Sequence, residues 1–386
     1  MKRKIAAITT SRADYCHLYW PLRELAAHPE IELEIIAMGP HLSPEFGCPA
    51  AELEQDGFRI SERIECLLSS DTDVGMAKTI GVAALGLADC LGRMRPDVLV
   101  LIADRFEMLA PAAVATALRI PLAHIEGGEI SEGAIDDAIR NALTKLSHVH
   151  FTSTEMARRR VIAMGEEAWR VHRAGAPSLD HLRRSELWSR EQVECELGVR
   201  LQSPAMVVGF HPTTMARDTT READALFAAL ECVRGQILFC YPNADAGSRA
   251  LIERARSFCA RRADSRVFIN LNPVLYWSLL RWVDLLVGNS SSGIMEAASL
   301  ALPAVDIGIR QRGRERGRNV LNAEAQADAI LDRISVAMDA GFRRSLEGME
   351  NPYGDGHAAE RIAATLASIP LGEDLLIKRA PELEAR

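Results

Sequence analysis

One feature constrains this chain more than any other: an alternation sustained almost from end to end. Short apolar runs, rich in β-branched residues, recur along it, separated by longer stretches with helical spacing. Candidate strands fall at 4–9, 31–38, 97–103, 120–125, 148–152 and 169–174, then at 205–210, 236–241, 266–270, 284–287 and 303–307. Between them the apolar residues keep to one helical face; over 134–147 these are Ile135, Ala138, Ile139, Ala142, Leu143 and Leu146. Strands that are apolar throughout, rather than at every second residue, are buried on both sides. They predict parallel sheets covered by helices, an α/β fold class. The rhythm pauses over a polar stretch ending at Ser203-Pro204. That pause predicts a first domain over 1–178, a linker region over 179–204, a second domain over 205–369 and a tail over 370–386.

Length supports the division, because 386 residues exceed what one core usually serves. The chain is 48% hydrophobic and 25% charged, as a soluble globular protein is. A net charge of −8 at pH 7 argues against a nucleic-acid partner. The eight cysteines are scattered, with no CxxC and no metal-ligand spacing, and read as reduced core residues of a cytoplasmic protein. The basic start Met1-Lys2-Arg3-Lys4 resembles a signal peptide, but its apolar stretch ends at Thr9. No apolar run is expected to cross a membrane; the best candidate, 98–118, is interrupted by Asp104, Arg105 and Glu107.

In parallel sheets of this kind ligands bind beyond the carboxyl ends of the strands, so the residues there are the candidates for function. The run Gly288-Asn289-Ser290-Ser291-Ser292-Gly293 follows one strand. Such a loop gathers backbone N–H groups and hydroxyls at one spot and suits a phosphate, the alternative being a helix N-cap by Ser292. It lacks the Gly-Lys-Ser/Thr of a Walker loop and the spacing of a nucleophile elbow. No GxGxxG follows the first strand. Arg310, nearest the strand end in a basic run, is a candidate for a diphosphate, and Arg12 is a second. The cluster Arg158-Arg159-Arg160 reads as surface.

Three acids also stand at or after strand ends: Asp104, Glu126 and Asp136. Converging on one site, they would do acid–base work with pKa values set apart by environment. Asp136 has an ordinary alternative, as a first-turn acid paired with Arg140 at i+4. Glu107 reads as a helix-surface residue or a partner of Arg105. His211, before Pro212, is either structural or a donor at the site.

TSRADY (10–15), DRFE (104–107), HIEGGE (124–129), AIDDAIRNALTK (134–145), HP (211–212), YPNADAG (241–247), GNSSSGIMEA (288–297) and IGIRQRGR (307–314) together resemble the hydrolysing UDP-N-acetylglucosamine 2-epimerases. The likeness runs from about residue 2 to about residue 365. It implies a glycosyltransferase-B (GT-B) architecture, two Rossmann-like domains facing a cleft, with the last helix crossing back to the first domain. It implies Asp104, Glu126 and Asp136 as catalytic acids and His211 as catalytic or diphosphate-facing. Ser290, Ser291 and Arg310 would hold the diphosphate, Arg12 would reach it from the first domain, Glu296 would hold the ribose hydroxyls, and Asn243 would line the uracil and ribose. Ala103 stands where the family usually has Gly, and the loop before Asp136 is one residue longer than in some relatives, which leaves Asp137 as an alternative.

The resemblance implies elimination of UDP to a 2-acetamidoglucal, then hydration to free N-acetylmannosamine, in the making of sialic-type acids. It calls for no cofactor and no metal. The partners it implies are a UDP-sugar substrate, the UDP product and further copies in a homodimer or homotetramer. One alternative is the same chemistry on UDP-2,4-diacetamido-2,4,6-trideoxyglucose, on the legionaminic acid route. Two others, a glycosyltransferase and a sugar-nucleotide sensor, would need no base at C2.

Overall fold

A computed structural model describes residues 2–44, 50–68, 72–130, 135–211, 221–241, 248–269 and 271–380. The chain divides into two compact units. The first comprises Met1–Glu129, Ile135–His181 and Gly356–Arg386; the second comprises Ile130–Ala134 and Leu182–Asp355.

The first unit is built on a seven-stranded sheet of order β3-β2-β1-β4-β5-β6-β7. Its strands are β1 (Arg3–Thr9), β2 (Ile31–Met38), β3 (Ile60–Ile64), β4 (Val98–Ile102), β5 (Leu122–Ile125), β6 (Val149–Thr152) and β7 (Val171–Arg173). The second has a six-stranded sheet of order β10-β9-β8-β11-β12-β13. Its strands are β8 (Ala205–Gly209), β9 (Gln236–Tyr241), β10 (Ser265–Ile269), β11 (Leu285–Gly288), β12 (Ala304–Ile307) and β13 (Val320–Ala323). Every paired register among these strands is parallel. Central strands such as β4 and β8 are buried along their whole length, which is why their sequences are apolar at every position.

The structure adds two strands to those expected, β3 and β13, each at the edge of its sheet. Edge strands face solvent on one side, so ISERI and VLNA carry polar residues and lack a continuous apolar run. One further departure concerns membrane spans. The helix Asp73–Met94 is long and apolar enough to cross a membrane by length and composition, whereas the sequence points instead to 98–118. Here its Thr79, Ala83, Leu87, Cys90 and Leu91 form a buried stripe in the core of the first unit. The cysteines also divide. Cys66, Cys90 and Cys240 are buried, but Cys195 and Cys232 are exposed on helical faces turned away from the core, which corrects the expectation of core thiols; Cys48 lies outside the described residues.

After residue 355 the chain belongs to the first unit. Its Ala358–Ser368 helix buries Ala359, Ile362, Ala363 and Leu366 and packs on the Arg12–Ala27 helix. Asp180 accepts hydrogen bonds from the Ala358 and Ala359 N–H groups at that helix's start (2.9 and 3.1 Å). Where the sequence alone suggests a tail, Glu373–Leu376 forms a helical turn. The buried Arg170 donates to the carbonyls of Asp374, Leu375 and Ile377 at 2.7–2.8 Å.

Candidate active site

Each sheet reverses its winding once, in the first unit between β1 and β4 and in the second between β8 and β11. The loops leaving these strands diverge, and ligands of open α/β sheets sit in the gap they leave.

In the first unit β1 ends in Thr9-Thr10-Ser11, held by one side chain. Asp14, 4% exposed, accepts from the N–H groups of Thr10 (2.7 Å) and Ser11 (2.8 Å) and from the hydroxyls of Thr9 (3.1 Å) and Thr10 (2.7 Å). The buried His41 meets the Thr9 hydroxyl at 2.8 Å, and burial pushes its pKa down. One carboxylate thus satisfies most of the polar groups of the turn that leaves β1.

Beside it, β4 and β5 run in parallel register, Ile102 opposite Ile125. Ala103 then adopts φ +57° and Glu126 φ +67°, both in the left-handed region that residues with a side chain rarely enter. The two kinks lie side by side, since the Ala103 N–H donates to the Ile125 carbonyl at 2.9 Å. They deliver Asp104 and Glu126 from neighbouring strand ends. His124, fully buried, donates Nε2–H to the Ala103 carbonyl at 2.8 Å; burial pushes its pKa down to about 4, so it is neutral.

Asp104 pairs with Arg140, whose guanidinium is 2% exposed and also donates to the Glu129 carbonyl (3.0 Å) and lies 3.6 Å from Asp137. A guanidinium never gives up its proton, so it favours the ionised Asp104. Asp136 occupies the first turn of the Ile135–Leu146 helix, one turn before Arg140. Its charge acts on Arg105. Burial works against the Arg105 charge, but Glu107, Asp14 and Asp136 outweigh it and hold the guanidinium pKa above its ordinary value. Glu107 is fully buried and bonded to Arg105 at 2.6 Å, so it is the arginine's partner and not a surface residue. Glu126 meets His17, from the Arg12–Ala27 helix, at 2.8 Å. The three expected acids therefore occupy one edge of one sheet. Arg12 is exposed and paired with Glu52. Of the three consecutive arginines expected at the surface, Arg160 instead turns inward to the Gly128 carbonyl.

In the second unit Gly288 and Gly209 face each other across β11 and β8. A Cβ on Gly288 would lie 2.0 Å from the Gly209 carbonyl oxygen, and φ is +139°; only glycine fits. Asn289, fully buried, then accepts from the His211 N–H (2.7 Å) and donates to the His211 carbonyl (2.9 Å). One amide thus ties the two strand-end loops together. The turn continues as a 3₁₀ turn, Ser291–Gly293, and a helix of only four residues, Glu296–Ser299. Ser290, rather than Ser292, does the capping: its hydroxyl accepts from the Ser292 N–H at 3.4 Å. Arg310 and Gln311 both donate to the Asn289 carbonyl at 2.9 Å. Tyr276 hydrogen-bonds to Ser290 and Ser292, lies within electrostatic reach of Glu296, and has its pKa raised by burial. Ser290, Ser291, Glu296, Arg310 and His211 accordingly gather at the ends of adjacent strands. Asn243 lies outside the described residues.

Asp14, His17, His124, Arg140 and Tyr276 are brought to these edges without having been singled out for them by the sequence. Asp14 had a signal, as the third residue after Ser11 in a capping box. His17 and Tyr276 had none, because each meets its partner only through tertiary packing.

Comparison with known proteins bears on what these edges do. A family model described as UDP-N-acetylglucosamine 2-epimerase matches residues 23–367. The chain is 34% identical to the UDP-N,N'-diacetylbacillosamine 2-epimerase (hydrolyzing) of Legionella pneumophila, over 98% of this chain and 99% of that protein. It is 33% identical to the GDP/UDP-N,N'-diacetylbacillosamine 2-epimerase (hydrolyzing) of Campylobacter jejuni, over 84% of this chain and 85% of that one. The fold matches a crystal structure described as a putative UDP-N-acetylglucosamine 2-epimerase from Listeria monocytogenes, with a TM-score of 0.80 over 95% and 96% of the two chains at 17% identity.

Proposed function

We propose, since the chain belongs to the UDP-N-acetylglucosamine 2-epimerase family, that it is a hydrolysing 2-epimerase of a UDP-activated 2-acetamido sugar. The observation that carries this reading is the likeness to the hydrolysing Legionella enzyme along essentially the whole of both chains.

The chemistry asks for two kinds of group. The C2 hydrogen is barely acidic and leaves only as positive charge grows at C1 while UDP departs. UDP takes the bridging oxygen and the electron pair of the C1–O bond; a carboxylate takes the C2 proton; a 2-acetamidoglucal remains. Water then adds its oxygen to C1, and a proton returns to C2 on the other face, giving the free 2-epimer and UDP. Carboxylates that stabilise an electron-poor carbon and shuttle protons are the first requirement. Asp104, Glu126 and Asp136 fill it. Donors and cations for the leaving diphosphate are the second. Ser290, Ser291, Arg310 and His211 fill that, with Arg12 exchanging its partner Glu52 for the ligand. Glu296 takes the ribose hydroxyls and Asn243 the uracil side. Arg140 supports the arrangement by keeping Asp104 ionised, which suits Asp104 to stabilising charge rather than donating a proton.

Two sugars fit. UDP-N,N'-diacetylbacillosamine, the 2,4-diacetamido-2,4,6-trideoxy sugar, is favoured by the names of both relatives; UDP-N-acetylglucosamine, released as N-acetylmannosamine, is the second reading. A cytoplasmic homodimer or homotetramer completes the proposal. Purified protein given each sugar nucleotide in turn, with UDP release followed, tests it. The diacetamido sugar is expected to turn over with at least about ten-fold higher kcat/KM, a difference of ~1.4 kcal/mol in transition-state binding. The opposite preference would assign the second sugar, and no UDP from either would reject the function.

A further inference from the structure

His17 sits in the second turn of the Arg12–Ala27 helix, which leads directly out of the β1 turn. Its ring nitrogen Nδ1 lies 2.8 Å from Glu126 Oε1 across 109 residues of sequence. The His17 side chain is 30% exposed and that of Glu126 12%. The carboxylate is therefore largely withdrawn from water while its imidazole partner still reaches solvent.

We infer that His17 is a positioning residue for Glu126, whose Nδ1–H donates to Oε1, fixes the rotamer of the carboxylate and keeps it ionised as the base. This rests on reading Glu126 as a carboxylate that works on the sugar. A carboxylate only accepts hydrogen bonds, so the proton of the pair resides on Nδ1, whether the ring is neutral or cationic. Donation to the charged form favours that form, and 2.8 Å is the length of a charge-assisted bond. The effect is needed here because burial of Glu126 works the other way. Glu126 is also held in the left-handed region, φ +67°, so its side chain leaves a constrained backbone.

The groups facing the pair come from several elements. His181, at the end of the first unit's last stretch before the second unit, acts on His17; burial pushes it down to about 4, so it stays neutral. Asp56 acts on His181 and receives the Tyr15 hydroxyl at 2.6 Å. His124 on β5 faces Glu126 and is neutral for the same reason as His181. Asp104 with Arg140, and Asp136, stand along the same sheet edge. Among these imidazoles, His17 combines direct contact with Glu126 and access to solvent.

Three proteins test this: wild type, His17→Asn and His17→Leu, with His17→Ala in reserve should the leucine variant not fold. Asparagine places an N–H close to the position of imidazole Nδ1 but does not titrate. Two readouts are needed. Carbon-13 titration of the Glu126 carboxyl, assigned by its loss in Glu126→Gln, needs no substrate; the second is the pH profile of kcat/KM. In His17→Leu the carboxyl is expected to titrate about one pH unit higher, with the acid limb of the profile moving alongside it. kcat at pH 6 should fall about ten-fold with KM little changed. His17→Asn should restore the carboxyl titration and the acid limb. A Glu126 titration identical in all three proteins, or a His17→Asn as impaired as His17→Leu, would overturn the inference. Failure of the proposed function would look different: wild type would release no UDP, while the carboxyl titration would still separate the variants.

Discussion

Ala103 and Glu126 hold φ values of +57° and +67° at neighbouring strand ends. Left-handed backbone costs a residue with a Cβ roughly 1–2 kcal/mol, so two adjacent instances mark a place where the fold tolerates strain to aim side chains. Ala103 allows the cost to be measured. Glycine would remove the strain but lose about 0.5–1 kcal/mol more entropy on folding. The first effect is the larger, so Ala103→Gly should raise stability by roughly 0.5–1 kcal/mol in a urea titration. Ala103→Val, β-branched, should lower it by more than about 1 kcal/mol. Equal stability of all three would mean that the position is not strained. At this scale the sequence shows the acids but not their partners. Asp104, Glu126 and Asp136 can be picked out because they follow apolar runs. His17 cannot, because nothing local to residue 17 reveals that its helix face meets the end of β5.

Elements are legible to the extent that they are buried. β4, β8 and β11 announce themselves by unbroken apolar sequence, whereas β3 and β13, each half-exposed at one edge of its sheet, do not. The segment after 370 is hidden for a related reason: its anchoring is done by other parts of the chain. Arg170, 1% exposed, donates to three of its carbonyls, and Lys378 reaches the fully buried Glu166 at 2.7–2.8 Å. Leu375 is fully buried. Deleting residues from 373 onward would expose the Leu375 site and leave a guanidinium buried among lost partners. Such a truncation should cost about 3–5 kcal/mol, read as a fall in Tm of roughly ten degrees. An unchanged melting curve would show the segment to be dispensable. Arg170→Met, which removes the charge along with its bonds, should cost less than the truncation.

Over the whole molecule, buried imidazoles set the response to acid. His124, His148 and His181, all in the first unit, are each pushed down to about 4 by burial, from an ordinary value of about 6.5. The unfolded chain therefore binds more protons than the folded one across that interval. Their contribution is fully present above about pH 6.5 and is lost as pH falls toward 4. Asp180 opposes them: burial, with Glu360 beside it, pushes it up to about 7, so its folded form holds a proton that the unfolded chain releases. Asp180 offsets one of these imidazoles, and burial pushes His41, His150 and His172 down as well, so unfolding takes up protons on balance as pH falls below about 6.5. Denaturant titrations at pH 7, 6 and 5 should show stability falling, more steeply between pH 6 and 5 than between 7 and 6, and His148→Gln should remove one proton's share of that slope, about 1.4 kcal/mol per pH unit near pH 5. The proposed function is a single reaction in which a proton leaves C2 while UDP leaves C1. Turnover in heavy water tests that claim most directly. Equal amounts of UDP and free sugar are predicted, with one solvent deuterium at C2 of the inverted sugar. Free sugar with its original hydrogen and unchanged configuration at C2 would contradict it.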